Sequence, residues 1–140
     1  MQPEAIISMQ STYLKVFDLQ KRLFGAKDVS VAITAACMGD VYEKLGEYST
    51  AILYFEESLR IKMVSQGKHS LDVARILHKL GKLNFRRNDY HTANSHISRT
   101  VFIYQLNKVD EDHEWMVDAN RDTADIVAAL ALGTGRQFEC

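Results

Sequence analysis

The sequence predicts an all-α fold in which pairs of antiparallel helices repeat along the chain. Glycine, tyrosine and alanine recur at a constant offset of 42 positions, in the pairs Gly39/Gly81, Tyr48/Tyr90 and Ala51/Ala93. The 140 residues include one Pro and seven Gly, and no segment alternates between apolar and polar residues as a half-buried strand does. A repeat of this length with few helix breakers is typical of an α-solenoid, so we expect about six helices in a right-handed stack.

The first predicted helix covers residues 3–24 and is in phase with the second helix of each later pair. Pro3 suits a first helical turn, where its missing N–H has no consequence, and a glycine follows the last residue of the segment. Leu19 precedes Ile61 and Ile103 by one and two steps of the same offset. We therefore expect a half-repeat here, equivalent to a second helix whose first helix is absent.

Two complete helix pairs are predicted over residues 28–66 and 70–106. Asp28 and Ser70 are the expected N-caps, because a short polar side chain accepts hydrogen bonds from the free N–H groups of the first turn. In the turn of the second pair, Asn88 stands where the first pair has a glycine, and asparagine tolerates the left-handed backbone. Small residues let the helices of the first pair approach closely: Ala32, Ala35, Ala36 and Gly39.

A last helix is predicted over residues 113–132, after a polar break. Its alignment with the repeat is open, since pairing Trp115 with Val73 gives an offset of 42 and pairing Val117 with Ala74 gives 43. The first alignment places an aspartate on the apolar face of the helix. Either alignment makes this helix the equivalent of a first helix of a pair.

The predicted organisation is one domain over residues 1–133, followed by residues 134–140 as a frayed tail or the start of a truncated repeat. No apolar stretch approaches the roughly 20 residues of a membrane span. The N-terminal residues lack the basic start and apolar run of a secretory signal, so we expect a cytosolic or nuclear protein and assign it to the cytoplasm. Cys37 and Cys140 are expected to be free thiols, which fits a reducing compartment.

Both helix pairs carry a bulky residue before a glycine in the first helix, and an alanine before a bulky residue in the second. These residues are Met38, Gly39, Tyr42, Gly46, Tyr48, Ala51 and Phe55 in the first pair, and Leu77, Leu80, Gly81, Tyr90, Ala93 and Ile97 in the second. The pattern resembles the tetratricopeptide repeat (TPR). The spacing exceeds the common TPR length of about 34 residues and is similar to that of the longer repeats of kinesin light chains. The resemblance implies a solenoid whose first helices line a concave face.

Charge is distributed unevenly along the chain. Residues 75–108 carry seven Lys and Arg against one Asp, whereas residues 109–140 carry two basic and eight acidic residues. Such a step is consistent with a binding surface, or with neighbouring helices that attract one another.

The resemblance also predicts which residues face the groove. They are Ile33, Ala36, Asp40, Glu43 and Lys44 in the first pair, Arg75, His78, Lys79, Lys82, Phe85 and Arg86 in the second, and Asn120 in the last helix. Four of the cations follow one another at steps of 4, 3 and 4, which places them on one side of a helix. A row of cations attracts carboxylates or phosphates, and Phe85 adds an apolar contact. The alternative is a solvated helix face.

Other classes of site lack the residues that their chemistry needs. His91 and His96 are five residues apart, which does not align two metal ligands on one helical face, and no Cys or carboxylate cluster completes a site. No serine has the strand–turn–helix context of a nucleophile, and Cys37 lies among Ala and Met. The acidic end segment would repel nucleic acid. We therefore expect no catalytic residue, metal, cofactor, small-molecule substrate or nucleic acid partner.

Two hypotheses follow. The first is a non-enzymatic interaction module whose groove binds a peptide or helix, with acidic residues, of a protein partner. The second is an assembly element that forms homodimers through uncovered end helices, or through pairing of its basic and acidic surfaces. The apolar residues near the ends are Tyr13, Phe17, Phe24, Trp115, Ile126 and Leu130.

Overall fold

A computed structural model describes residues 3–138 of the chain, with side chains for residues 4–5 and 7–133. This part of the chain is all-α, as predicted, and contains no β-strand. Its helices are α1 (Pro3–Phe24), α2 (Val29–Lys44), α3 (Tyr48–Gln66), α4 (Leu71–Arg86), α5 (Tyr90–Leu106) and α6 (Glu114–Phe138). None of these helices has the length and apolar character needed to cross a membrane.

The chain divides into two compact units. The first unit, Met1–Lys68, contains α1, α2 and α3, and the second unit, His69–Cys140, contains α4, α5 and α6. Within the units, α2 packs mainly on α3 and α4 mainly on α5, so each predicted pair forms as expected. The single domain over residues 1–133 stays a prediction.

All three helices contribute apolar side chains to the core of the first unit. One cluster of buried residues contains Phe17 from α1, Val31, Ala32, Ala35 and Met38 from α2, and Ile61 from α3. Phe17 meets Tyr54 edge-on with ring centroids 6.1 Å apart, and Tyr54 stacks on Tyr42 at 5.5 Å. Phe17 therefore packs inward and fixes α1 on the first helix pair.

Local sequence signals set the ends of the paired helices. The carboxylate of Asp28 accepts the N–H of Ser30 at 2.9 Å, and the hydroxyl of Ser70 accepts the N–H of Val73 at 3.1 Å. Both predicted N-caps are thus confirmed. Asn88 has a φ of +65°, so it adopts the positive φ that was predicted for this turn.

A glycine in the first helix of each pair allows the second helix to approach closely. A methyl group added at Gly39 would lie 2.6 Å from the ring of Phe55, which is almost fully buried. A methyl group added at Gly81 would overlap the side chain of Ile97 more severely. The contact recurs because a glycine and a bulky apolar residue, Phe55 or Ile97, both recur at the offset of 42.

A buried hydroxyl joins the two helices of each pair beside this contact. Ser58 donates to the carbonyl of Ala32 at 2.8 Å. In the second unit, the hydroxyl of Thr100 is shared between the carbonyl of Ala74 at 3.3 Å and a carbonyl of its own helix at 2.9 Å. Each of these bonds gives a buried hydroxyl a partner on the neighbouring helix. A hydroxyl without a hydrogen bond in the core would cost stability.

The residue at which α6 begins shows which of the two alignments with the repeat is correct. The offset between the first residues of α4 and α6 is 43, whereas the offset between the first residues of α2 and α4 is 42. The N–H of Val117 donates to the carbonyl of His113, as that of Ala74 donates to Ser70 at the start of α4. The offset of 43 therefore applies to α6.

The structure also differs from the sequence analysis at the end of α6. The helix continues past Leu132, its predicted end, to Phe138. Residues 134–138 therefore have helical backbone where a frayed tail or truncated repeat is predicted. Cys140, predicted to be a free thiol, lies outside the described residues.

We predict that Gly81→Ala destabilises the protein even though alanine is the better helix former. The added methyl meets the buried side chain of Ile97, and such overpacking costs about 1–3 kcal/mol, against a gain in helix propensity of at most about 1 kcal/mol. Urea unfolding monitored by circular dichroism measures the difference. Gly133→Ala is the matched control, because Gly133 is also helical and faces open space. Equal stabilisation by both substitutions would contradict the prediction.

Candidate functional site

The four predicted cations of α4 all lie at the surface of the second unit. Arg75, Lys79, Lys82 and Arg86 are exposed, and Phe85 between them is half-buried. The apolar side of α4 is occupied by residues such as Leu77, Leu80 and Leu83, which are buried. The row of cations therefore forms because the core takes the opposite side of the helix.

Arg75, at the start of the row, packs on an aromatic side chain of α6. Its guanidinium carbon lies 4.3 Å from the ring centroid of Trp115, within the range of a cation–π contact. Trp115 in turn stacks on Tyr104, with ring centroids 6.0 Å apart. Burial raises the pKa of Tyr104, and the nearby positive charge of Arg75 opposes that change. Arg75 thus contributes to the contact between α4 and α6.

His78 is buried, in contrast to the cations around it. Its side chain Nε2 lies 2.6 Å from Oδ2 of Asp122, and the residue is only 6% exposed. Burial lowers the pKa of His78 below its ordinary value of 6.5 and outweighs the opposite effect of the hydrogen bond to Asp122. The charges of Lys82 and Arg75 lower the pKa further. A neutral His78 therefore donates its Nε2 proton to the carboxylate of Asp122.

Asp122 also attracts one cation of the row. The Nζ atom of Lys82 lies 3.8 Å from the same oxygen that accepts from His78. The Lys82 side chain is 44% exposed, so solvent screens this ion pair and its contribution to stability is small. The step from basic to acidic sequence thus corresponds, in part, to two neighbouring helices that attract one another.

A pocket of about 200 Å³ opens beside this ion pair. One wall carries Lys82 and Arg86 of α4, and the other carries Asp122 and Asp125 of α6. The remaining lining residues are Gly81, Phe85, Ile97 and Ile126. The pocket therefore combines apolar surface with cations on one wall and carboxylates on the other.

The pocket contains three of the residues predicted to face a groove, namely Lys82, Phe85 and Arg86. Asn120 does not line it, because residues two positions apart on a helix point in different directions and the pocket lies on the side of Asp122. Asp40 belongs to the first unit, where it is partly exposed. The assignment of these residues to a binding surface stays a prediction.

The sequence analysis did not identify Asp122 and Asp125 as site residues. Asp122 is the aspartate that falls on the apolar face in one of the two alignments. With the offset of 43 that the structure shows, Asp122 corresponds to the exposed Lys79, and its partner is His78 of α4. The contact between Asp122 and His78 depends on how α6 packs, so the repeat pattern alone could not identify it.

Solved structures with a similar arrangement of helices include proteins from two organisms. BtubC (BKLC) from P. vanneervenii matches 91% of this chain with a TM-score of 0.82 and 17% sequence identity. The TPR-like repeats of a Podosopora anserina protein, described as nearly identical repeats of a putative kinesin light chain, match 90% with a TM-score of 0.80 and 13% identity. The chain has a TPR-like fold. This confirms the fold class that the sequence predicts.

At these levels of sequence identity, the similarity to the solved structures concerns the fold alone. The chain spans 51% of the length of the BtubC chain and 59% of the P. anserina chain. No family model and no curated protein matches the sequence.

We predict that acid destabilises the second unit through His78. Its pKa is lowered in the folded protein, so the unfolded state binds more protons as the pH falls below about 6.5. The contribution of His78 to the free energy of unfolding is therefore fully present above that pH. It decreases as the pH falls toward the pKa of His78 in the folded protein. The free energy of unfolding, measured in urea between about pH 7.5 and pH 5, should decrease, and His78→Gln should flatten this decrease.

His91→Gln is the control for this measurement, because it removes an exposed histidine instead of a buried one. Burial also lowers the pKa of His96, so His78→Gln should remove part of the pH dependence and the double substitution with His96→Gln more of it. The same slope in the wild type and in His78→Gln would show that His78 is not a source of the pH dependence.

Proposed function

We propose that the protein is a non-enzymatic interaction module that binds a peptide or helix of a partner protein at the pocket formed by Lys82, Phe85 and Arg86. The TPR-like fold supports a general role in protein interaction or scaffolding. The observation that carries the proposal is the combination, in one pocket, of apolar surface with basic residues at its edge. The cytoplasmic location stays a prediction.

The size of the pocket favours a peptide side chain as its occupant. Sites for drug-sized small molecules are typically about 300–1,000 Å³ and enclose most of the ligand. At about 200 Å³, this pocket has room for one or two side chains. Phe85, Ile97 and Ile126 offer apolar contact to such a side chain, while the peptide backbone stays outside.

The two walls of the pocket give the bound segment an orientation. A carboxylate of the partner is attracted to the wall of Lys82 and Arg86 and repelled by Asp122 and Asp125. Backbone N–H groups or a basic side chain of the partner suit the acidic wall. We therefore propose a segment in which an acidic residue adjoins an apolar one, with the acidic residue on the α4 side.

Selection from a random peptide library displayed on phage tests this function. We expect peptides selected on the wild type to be enriched in Asp or Glu beside an apolar residue. The variant Lys82→Glu/Arg86→Glu should lose these peptides and bind them at least tenfold more weakly, because removal of two charged contacts costs about 1.4 kcal/mol or more.

The matched control is Arg87→Glu/Arg99→Glu. It changes the net charge by the same amount at two exposed positions outside the pocket. If both double variants lose the peptides equally, the effect comes from overall charge and the pocket is not the binding site. If neither loses them, the pocket is likewise excluded.

A further inference from the structure

One carboxylate oxygen in the pocket wall lies between a buried and an exposed side chain. Oδ2 of Asp122 is 2.6 Å from Nε2 of His78, whose side chain is 8% exposed. The same oxygen is 3.8 Å from Nζ of Lys82, whose side chain is 44% exposed. Asp122 itself lines the pocket. This carboxylate therefore connects the interior of the second unit with the surface at which the proposed peptide binds.

The charged groups that act on His78 belong to α4 and α6. Asp122 of α6 favours a protonated imidazole, whereas Lys82 and Arg75 of α4 oppose it. α5 also packs on α4, where Thr100 bonds a backbone carbonyl and adds no charge. Burial and the two cations keep the pKa of His78 below its ordinary value of 6.5, so the imidazole is neutral near pH 7.

An acidic residue of a bound segment changes this balance of charges. Its carboxylate would form a charge-assisted hydrogen bond of about 2.8 Å with Nζ of Lys82. The nearest oxygens of this carboxylate and of Asp122 then lie within about 7 Å of each other, which is less than the Debye length of about 8 Å at physiological salt. The new negative charge neutralises Lys82 and repels Asp122. Both effects favour a positive charge on His78.

We propose that the pair of His78 and Asp122 couples the binding of an acidic segment to the uptake of one proton, so that the pocket binds acidic segments more tightly as the pH falls. The coupling rests on the proposed function, because it concerns the same pocket. Coupling between two binding events is reciprocal: a carboxylate that favours the proton is favoured by the proton to the same extent.

The pH range of the coupling follows from the direction in which the bound segment changes the pKa of His78. The bound form has the higher pKa, so it holds a proton at a pH where the free form does not. Affinity should increase as the pH falls through the pKa of the bound form, and should become constant below that of the free form, which is lower than 6.5. Stability changes in the opposite direction over this range, so partial unfolding cannot produce the gain in affinity.

Isothermal titration calorimetry at about pH 7.5 and about pH 5.5 tests the coupling, because Asp and Glu of a peptide stay ionised at both values. The probe is the most enriched acidic peptide of the phage selection, synthesised with blocked termini and with any histidine replaced by glutamine. We expect the affinity of the wild type to increase at least about fivefold at the lower pH, which is the lower end of the usual range for coupled sites.

Two controls show whether the gain comes from His78 and from the carboxylate of the peptide. His78→Gln should bind the probe with equal affinity at both pH values. His96→Gln should keep the full gain, because the pKa of His96 is also lowered by burial but this residue does not line the pocket. A probe with Asn and Gln in place of Asp and Glu should show no gain in the wild type, because it brings no charge to Lys82.

Nuclear magnetic resonance of the histidine side chains is a second measurement, and it needs no substitution at the buried position. Saturation of the wild type with the acidic probe should raise the pKa of His78, whereas the neutral probe should leave it unchanged. An unchanged pKa with the acidic probe bound overturns the coupling even if His78→Gln does not fold. Circular dichroism at the lower pH shows which variants are folded.

The results separate the coupling from the proposed function. Suppose that the acidic probe binds the wild type and not Lys82→Glu/Arg86→Glu, but with equal affinity at both pH values. The function then stands and the coupling is overturned. The same gain in His78→Gln as in the wild type also overturns the coupling. If the selection yields no acidic peptide, or one that Lys82→Glu/Arg86→Glu still binds, the function and the coupling are both overturned.

Discussion

The contact between a glycine of one helix and a bulky side chain of the next is the constraint on which each helix pair depends. Because Gly39 and Gly81 have no side chain, the second helix approaches closely enough for a hydroxyl to reach a backbone carbonyl. Ser58 and Thr100 provide that hydroxyl. Dispersion contacts and one directional bond thus fix the relative rotation of the helices, and this rotation decides which residues remain at the surface.

In the second unit, that rotation places the row of cations of α4 beside the acidic residues of α6. Asp122 accepts from His78 below the surface and attracts Lys82 at the surface. The carboxylate of Asp122 therefore joins α6 to α4 and also lines the pocket. A buried polar contact of this kind stabilises only while both partners are present, since either one alone would be left without a hydrogen bond.

Much of the fold could be predicted because its signals are local. N-caps such as Asp28, the turn residue Asn88 and the glycine contacts depend on neighbours within one helix pair. The burial of His78 could not be predicted, because its partner Asp122 is distant in the sequence and lies on a third helix. The position of that helix depends on a one-residue difference in spacing, and the sequence pattern allowed both alignments. Periodicity therefore identified the basic side of α4 but not the carboxylates that face it.

The two helix pairs differ in the charge of residues at equivalent surface positions. The packing residues recur at a spacing of 42, but Asp40 in the first pair corresponds to Lys82 in the second, so the charge at this position changes sign, whereas Lys44 and its counterpart Arg86 are both basic. A change of sign at an exposed position leaves the core unaffected, so the repeat can vary its surface without loss of the fold. In the second unit, the change places Lys82, beside Arg86, opposite carboxylates across apolar surface. Under the proposed function, a partner must therefore match both walls, which would make the pocket more selective than a uniformly basic row.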